Sequence, residues 1–201
     1  LTRLIARARV RGQEHLTALH GPVIFAPNHQ SHFDTPCILA ALPGRYRYHA
    51  AVAMWKEFFD PHFHPERHSR MEWLGNSILY WVLALFFNAF PLPQTESGAG
   101  GSLRYLGSLV SKGWSVLYFP EGARTEAGEI QPFQPGIGLI ASKLHVPVVP
   151  VRIRGVEKIM HRGQHFPRPG RVEIAFGTPM ELDGEDYATL AKRIEHAVRE
   201  L

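Results

Sequence analysis

The sequence predicts an α/β domain: a mixed, largely parallel sheet flanked by helices. Short apolar runs of strand length alternate along the chain with segments of helical period. No repeat or low-complexity linker interrupts the 201 residues, so 1–201 reads as a single domain. Hydrophobic residues at 45% and charged residues at 20% exclude a disordered or collagen-like chain. The lone cysteine, Cys37, excludes an internal disulfide and a multi-thiolate zinc site.

The first residues place Arg3, Arg7, Arg9 and Arg11 among Leu1, Leu4, Ile5 and Val10. This pattern admits a short helix on anionic headgroups, a basic arm, or a first edge strand. The chain starts at Leu1 without a methionine or a signal segment, so it is expected to be cut from a longer one. Val23–Ala26 reads as a short buried strand, followed by a helix through Ile38–Leu42 that Pro43 and Gly44 stop. Tyr46–Val52 reads as a second strand. Residues 102–112 put Leu103, Leu106, Leu109 and Val110 on one helical face. A strand at Val116–Phe119, a helix near Gly138–Leu144 and strands at Val148–Ile153 and Val172–Phe176 follow. Tyr187, Leu190, Ile194, Val198 and Leu201 mark an amphipathic final helix. Ligands of such sheets sit at the carboxyl ends of the strands.

Trp73–Pro93 carries no charged residue. It nears the length of a membrane span, but Asn76, Ser77, Asn88 and two prolines dilute it. The reading adopted is a buried helix running into a strand near Phe90, ahead of an element dipping into a membrane interface or a true span. Trp73, Tyr80 and Trp81 suit lipid headgroups as well as cores.

Chemistry concentrates at two strand ends. Asn28-His29-Gln30-Ser31-His32-Phe33-Asp34 follows the first apolar strand. His29 and Asp34 would lie about 140° apart on one helix, so they meet only if the chain turns between them. An Asp on one imidazole nitrogen leaves the other to accept a proton. The alternative is that Asp34 caps a helix with Pro36 in its first turn. Phe119-Pro120-Glu121-Gly122-Ala123-Arg124-Thr125 also follows an apolar strand. There Gly122 permits a positive-φ turn and Arg124 offers a fork suited to phosphate. Glu121 would position Arg124 or meet a substrate hydroxyl. A plain turn with solvated charges is the alternative.

Together these two segments resemble the 1-acylglycerol-3-phosphate acyltransferase family, the lysophospholipid and glycerol-phosphate acyltransferases. The family's histidine–four residues–aspartate signature is similar to Asn28–Asp34, and its Phe-Pro-Glu-Gly-x-Arg-Ser/Thr signature to Phe119–Thr125. Phe133-Gln134-Pro135-Gly136-Ile137-Gly138 and Val146–Val151, with Pro150, resemble later family segments. The resemblance covers roughly residues 10 to 180. It implies a glycerol-phosphate acyltransferase-like fold, with His29 as general base and Asp34 as its support. Glu121, Gly122, Arg124 and Thr125 would bind the acceptor phosphate, and Asn28, Ser31, Pro120 and Pro150 would support the motifs. An acceptor hydroxyl would attack an acyl thioester, on coenzyme A or acyl carrier protein, with no acyl-enzyme and no other cofactor. The chain has no Gly-x-Ser-x-Gly elbow, Cys37 sits in an apolar stretch, and Ser31 reads as a turn or cap residue.

One departure stands out. Where the family's second signature ends in arginine, this chain has Phe90-Pro91-Leu92-Pro93-Gln94, which points away from simple lysophosphatidic acid as acceptor. His62, His64 and His68 have a zinc-compatible spacing, but flanking prolines favour a surface loop and no metal is expected. A net charge of +4 suits a phosphate group, a coenzyme or a membrane surface, and is too scattered for nucleic acid. The expected location is the cytoplasmic face of a membrane, peripheral or anchored through a missing segment. Competing functions are an acyl-thioester hydrolase using the same pair and an inactive lipid-binding module of a larger protein.

Overall fold

The structure is a computed structural model that describes residues 6–92, 99–124, 129–159, 168–184 and 186–201. Its strands are β1 (Ala6–Arg11), β2 (Ile24–Pro27), β3 (Ala50–Trp55), β4 (Ala89–Leu92), β5 (Ser115–Leu117), β6 (Val148–Arg154) and β7 (Gly170–Phe176). The helices are α1 (Gln13–Thr17), α2 (Asp34–Ala41), α3 (Gly44–Arg47), α4 (Asp60–Phe63), α5 (Arg70–Phe87), α6 (Ala99–Ser111), α7 (Gly136–Leu144) and α8 (Tyr187–Glu200). One sheet runs β1-β7-β6-β2-β5-β3-β4, parallel throughout except between β6 and β7. The expected mixed, largely parallel architecture is the one observed.

Each face of the sheet buries its own core. Phe25, Leu117, Val149, Val151, Ile153 and Ile174 meet α2 on one face through Cys37, Ile38 and Leu39. On the other, Ile24, Val116 and Val148 meet Leu106 of α6, Ile137 and Ile140 of α7, and Ile194 and Val198 of α8. Burial on both faces explains why the central strands read as continuous apolar runs rather than alternating ones. Helices α7 and α8 touch at Gly138, where a Cβ would stand 2.2 Å from the Tyr187 carbonyl oxygen. Only glycine lets these helices approach so closely. Asp186 starts α8 by accepting the Thr189 amide on its side chain.

Several expectations give way to the structure. Of the three readings left open for the N-terminal segment, the edge strand is the one that forms, from Ala6 and parallel to β7, as the period-two arginines fit; Leu1–Ile5 lie outside the described residues. The expected strand Tyr46–Val52 begins only at Ala50. Tyr46 and Arg47 belong to α3, where the Arg47 guanidinium binds the carbonyl oxygens of Leu39, Ala40 and Leu42 at 2.7–2.9 Å and closes the end of α2. The His62–His68 segment is not a loop but helical turns, α4 and Pro65–Arg67. His62 stacks on Tyr80 at 4.2 Å and bonds Ser77 Oγ at 2.8 Å, and no metal-binding cluster forms among the described residues.

The largest correction concerns Trp73–Pro93. A helix and a strand form as expected, α5 and β4, but Ser77 alone is buried within α5. Met71, Leu74, Ile78, Leu79, Trp81, Val82, Leu85 and Phe86 are 39–79% exposed. At 100° per residue they cover an arc of about 160° without a polar side chain. The inner side of α5 packs through Tyr80 on Phe59, His62 and Phe63, so these short turns, not the sheet, occupy most of its contact surface. A capping box of Ser69 and Glu72 starts the helix. No helix among the described residues is long and apolar enough to cross a membrane.

Candidate active site

Neighbouring parallel strands β2 and β5 end side by side, and the two signature segments leave them at that end. Asn28 locks the first in place: its side chain donates to Ile153 O at 3.0 Å and accepts from Ile153 N at 2.8 Å. This double bond ties the end of β2 to β6. The chain then turns back through Ser31, whose carbonyl accepts the Asp34 amide at 3.1 Å.

That turn brings His29 and Asp34 together. His29 Nδ1 lies 2.8 Å from Asp34 Oδ2, and Asp34 is fully buried. The same oxygen accepts the amides of Gln30 at 2.6 Å and Ser31 at 2.8 Å. An oxygen already accepting two main-chain donors faces Nδ1 as an acceptor, so Nδ1 carries the proton and Nε2 is the basic nitrogen. The imidazole lies over Phe119, centroids 4.1 Å apart, and a fifth of the side chain's surface stays open to solvent. Asp34 thus orients the histidine from the first turn of α2, the position that a cap reading alone would have left to helix termination.

The second segment closes the site from β5. Gly122 adopts φ 73°, the left-handed turn its sequence suggests. Glu121 is buried, and its carboxylate accepts the His29 amide at 2.7 Å and the Gln131 amide at 2.9 Å. Glu121 therefore holds the histidine segment and residues 130–134 together, in addition to standing beside Arg124 in sequence. Pro120 fixes that second segment through its carbonyl, which accepts the Gln134 amide at 2.8 Å.

Arg124 is exposed at the mouth, and its charge reaches His32. Partial burial, then the charges of Arg124 and His29, hold the His32 imidazole below its usual range. The forked guanidinium of Arg124 is a group suited to binding a phosphate. Cys37 is buried; desolvation, with the Asp34 charge second, pushes its thiol up to about 12, so it is inert. Pro150 lies within β6 opposite Ala26, inside the sheet rather than at the mouth. Thr125 and Gln94 lie outside the described residues. Sequence reasoning missed Phe119 as the floor under His29, and Phe58, whose ring stands 6.4 Å from His32. Only the adjacency of β2 and β5 and the return of the chain after β3 bring these rings in, and no local pattern reports that.

A family model described as Acyltransferase matches residues 7–154, a span that contains both segments. A chloroplastic 1-acyl-sn-glycerol-3-phosphate acyltransferase of Brassica napus is 30% identical over 77% of this chain, which spans 39% of that protein. The alpha form from Ovis aries is 24% identical over 96% of the chain, which spans 61% of its length. Among solved structures, the 1-acyl-sn-glycerophosphate acyltransferase PlsC of Thermotoga maritima superposes with a TM-score of 0.67 at 23% identity. That match covers 96% of this chain and 69% of the other, and it establishes the shared fold. Since one family model spans the histidine turn, the Pro-Glu-Gly turn and the strands that bring them together, this chain belongs to the acyltransferase family.

Proposed function

We propose that the protein transfers a fatty acyl group from an acyl thioester, on coenzyme A or a carrier protein, to a hydroxyl of a lysophospholipid. The 2.8 Å bond between His29 and Asp34 carries this reading. Nε2 of His29 removes the proton of the acceptor hydroxyl while its oxygen attacks the thioester carbonyl carbon. The tetrahedral adduct collapses, the carbon–sulfur bond breaks, and the departing thiolate takes the proton back from His29. Asp34 holds the tautomer and stabilises the imidazolium in between. Gly122 and Arg124, with Thr125 beyond the described residues, hold the acceptor phosphate. No acyl-enzyme forms, in keeping with an inert Cys37. The names of the relatives, which act on 1-acyl-sn-glycerol-3-phosphate, support this acceptor class. Gln94, neutral where the family carries arginine, favours a lysophospholipid with a larger headgroup over simple lysophosphatidic acid.

The same reading places the protein peripherally on a membrane, at the cytoplasmic face where acyl thioesters are made. Exposed apolar patches on soluble chains mark interaction surfaces, and the outer arc of α5 is one. Trp55, Trp73 and Trp81 add residues favoured at headgroup depth. Phe58, which packs on Phe59 beneath α5, stands 6.4 Å from His32, so a lipid acceptor held at α5 would reach the site along this side.

The test is to incubate the protein with a long-chain acyl-CoA, with and without lysophospholipids, and follow free thiol and lipid products. Thiol release that depends on the acceptor, with a diacyl product, is the expected result. Thiol release without acceptor would make the protein a hydrolase. No turnover with any donor would make it a binding module.

A further inference from the structure

The net charge of the chain is not scattered once the sheet is formed. Register places Arg7 opposite Arg171, Arg9 opposite Glu173, and Arg11 opposite Ala175 across β1 and β7. Across β7 and β6, Arg154 faces Glu173 and Arg152 faces Ala175. Paired residues of neighbouring strands project to the same side, and Val10, Ile153 and Ile174 between them turn into the core on the other. Six arginines and one glutamate therefore share one face, a net of 6 − 1 = +5. The whole chain nets +4, so everything outside this face nets −1.

Two of the six are anchored. Arg152 donates to the Val198 and Arg199 carbonyls at the end of α8, and Arg11 to that of Leu201. Arg7, Arg9, Arg154 and Arg171 are exposed, and none makes an ion pair with another described residue. Like charges set opposite each other weaken a sheet, as at Arg7 and Arg171. Burial and then the charge of Arg154 lower the pKa of Arg152, which reports the same crowding. Such a face is stabilised by a polyanion.

The surroundings select the kind of polyanion. The face is flat: the dimple among Arg11, Arg152, Arg154 and Glu173 encloses no cavity for a nucleotide-sized ligand. Among the described residues of the three strands, the side chains on this face include no aromatic ring on which a nucleic-acid base would stack, and the one aliphatic chain at the dimple, Leu201, is only part-exposed. The lipid-facing helix α5 packs at the β4 margin, six strand spacings or roughly 29 Å from β1. The arginine face is also next to the chemistry. Arg154 follows Ile153, the residue that Asn28 clamps on both main-chain atoms, and His29 follows Asn28.

We propose that the arginine face of β6, β7 and β1 is the docking surface for an acidic protein that delivers the acyl thioester. This rests on the acyl-transfer reading above and names its donor as a protein-borne thioester. Charge complementarity of this kind acts mainly on encounter rate and orientation, and it is screened by salt.

The experiment uses three proteins: the parent, a triple glutamine variant (Arg9→Gln, Arg154→Gln, Arg171→Gln), and the triple lysine variant at the same positions. Each is titrated with an acidic acyl carrier protein lacking its acyl group, and assayed with that carrier or coenzyme A as acyl donor. The parent is expected to bind the carrier at low salt. The glutamine variant should lose at least about tenfold in binding and in kcat/KM for the carrier-borne donor, with acyl-CoA turnover unchanged. The lysine variant should keep most of both, which separates lost charge from damaged folding. Carrier binding without transfer from either donor would overturn the acyl-transfer reading and leave the surface standing. Equal losses with both donors, no binding by the parent, or loss only of anionic-vesicle or oligonucleotide binding would overturn the docking surface.

Discussion

The middle of the sheet and its margins handle polar and apolar groups in opposite ways. At the junction of β2, β5 and β6, Asn28, Asp34 and Glu121 are almost wholly buried; Asn28 and Glu121 bind main-chain groups of other segments, and Asp34 binds the amides and the imidazole of its own turn. At the margins, apolar and cationic side chains alike face solvent: the apolar arc of α5 beside β4, and four arginines on β1, β6 and β7. The middle holds one geometry, whereas the margins present open surface. Substitutions in the two regions should therefore separate activity, stability and association.

The largest effect is expected at His29. Removing a general base typically costs about 10²–10⁴-fold in rate, so His29→Ala should lose that much acyl transfer with an unchanged melting temperature. Asp34→Asn should come close, because a neutral amide in place of the carboxylate no longer stabilises the imidazolium, and its NH2 turned toward Nδ1 would set the wrong tautomer. Initial rates of thiol release under saturating acceptor measure both. Parental rates in His29→Ala would remove the middle of the sheet from catalysis.

Next come the cores. Ile194 is fully buried between α8 and the sheet. Ile194→Ala is expected to cost about 2–5 kcal/mol, which at about 2–4 °C per kcal/mol is a clear fall in Tm for a domain of this size. Glu121→Gln should cost less, about 1–3 kcal/mol, because an amide nitrogen replaces one of two acceptors facing the amides of His29 and Gln131. A thermal melt is the measurement for each. A Glu121→Gln protein as stable as its parent would mean that this bridge does not hold the site together.

Much of this was legible in the sequence, and the failures have physical causes. The strands β2 and β5 and the first half of β6 were readable because burial on two faces leaves unbroken apolar runs, and β7 because buried Val172 and Ile174 alternate with exposed Arg171 and Glu173. The pairing of His29 with Asp34 was conceivable from spacing and needed the turn that Asn28 and Ser31 create. Tyr46–Arg47 misled because Arg47 is committed to the end of α2, a contact invisible to local alternation. The α5 segment misled for the converse reason: an apolar stretch is taken as core unless something shows that no core reaches it. The concentration of charge was hidden because Arg9, Arg154 and Arg171 are far apart in the chain and meet only through strand register.

The smallest expected change in stability belongs to the α5 margin, and it gives the sharpest contrast with Ile194. Ile78 and Leu85 are 56% and 74% exposed and lie two turns apart on the same arc. Exposed substitutions away from caps and cores usually shift stability by no more than about 0.5 kcal/mol. Ile78→Glu combined with Leu85→Glu should therefore leave Tm nearly unchanged while abolishing flotation with lipid vesicles, since each carboxylate would have to enter the headgroup–acyl boundary. Salt should matter little to the parent's vesicle binding. Lys56, Arg67 and Arg70 around the helix are offset by Glu57, Asp60, Glu66 and Glu72, so no cationic excess is present there to be screened. A fall in Tm comparable to that of Ile194→Ala would mean that the outer face of α5 is covered within the chain itself. Unchanged flotation would detach α5 from the membrane and leave its apolar arc to another partner.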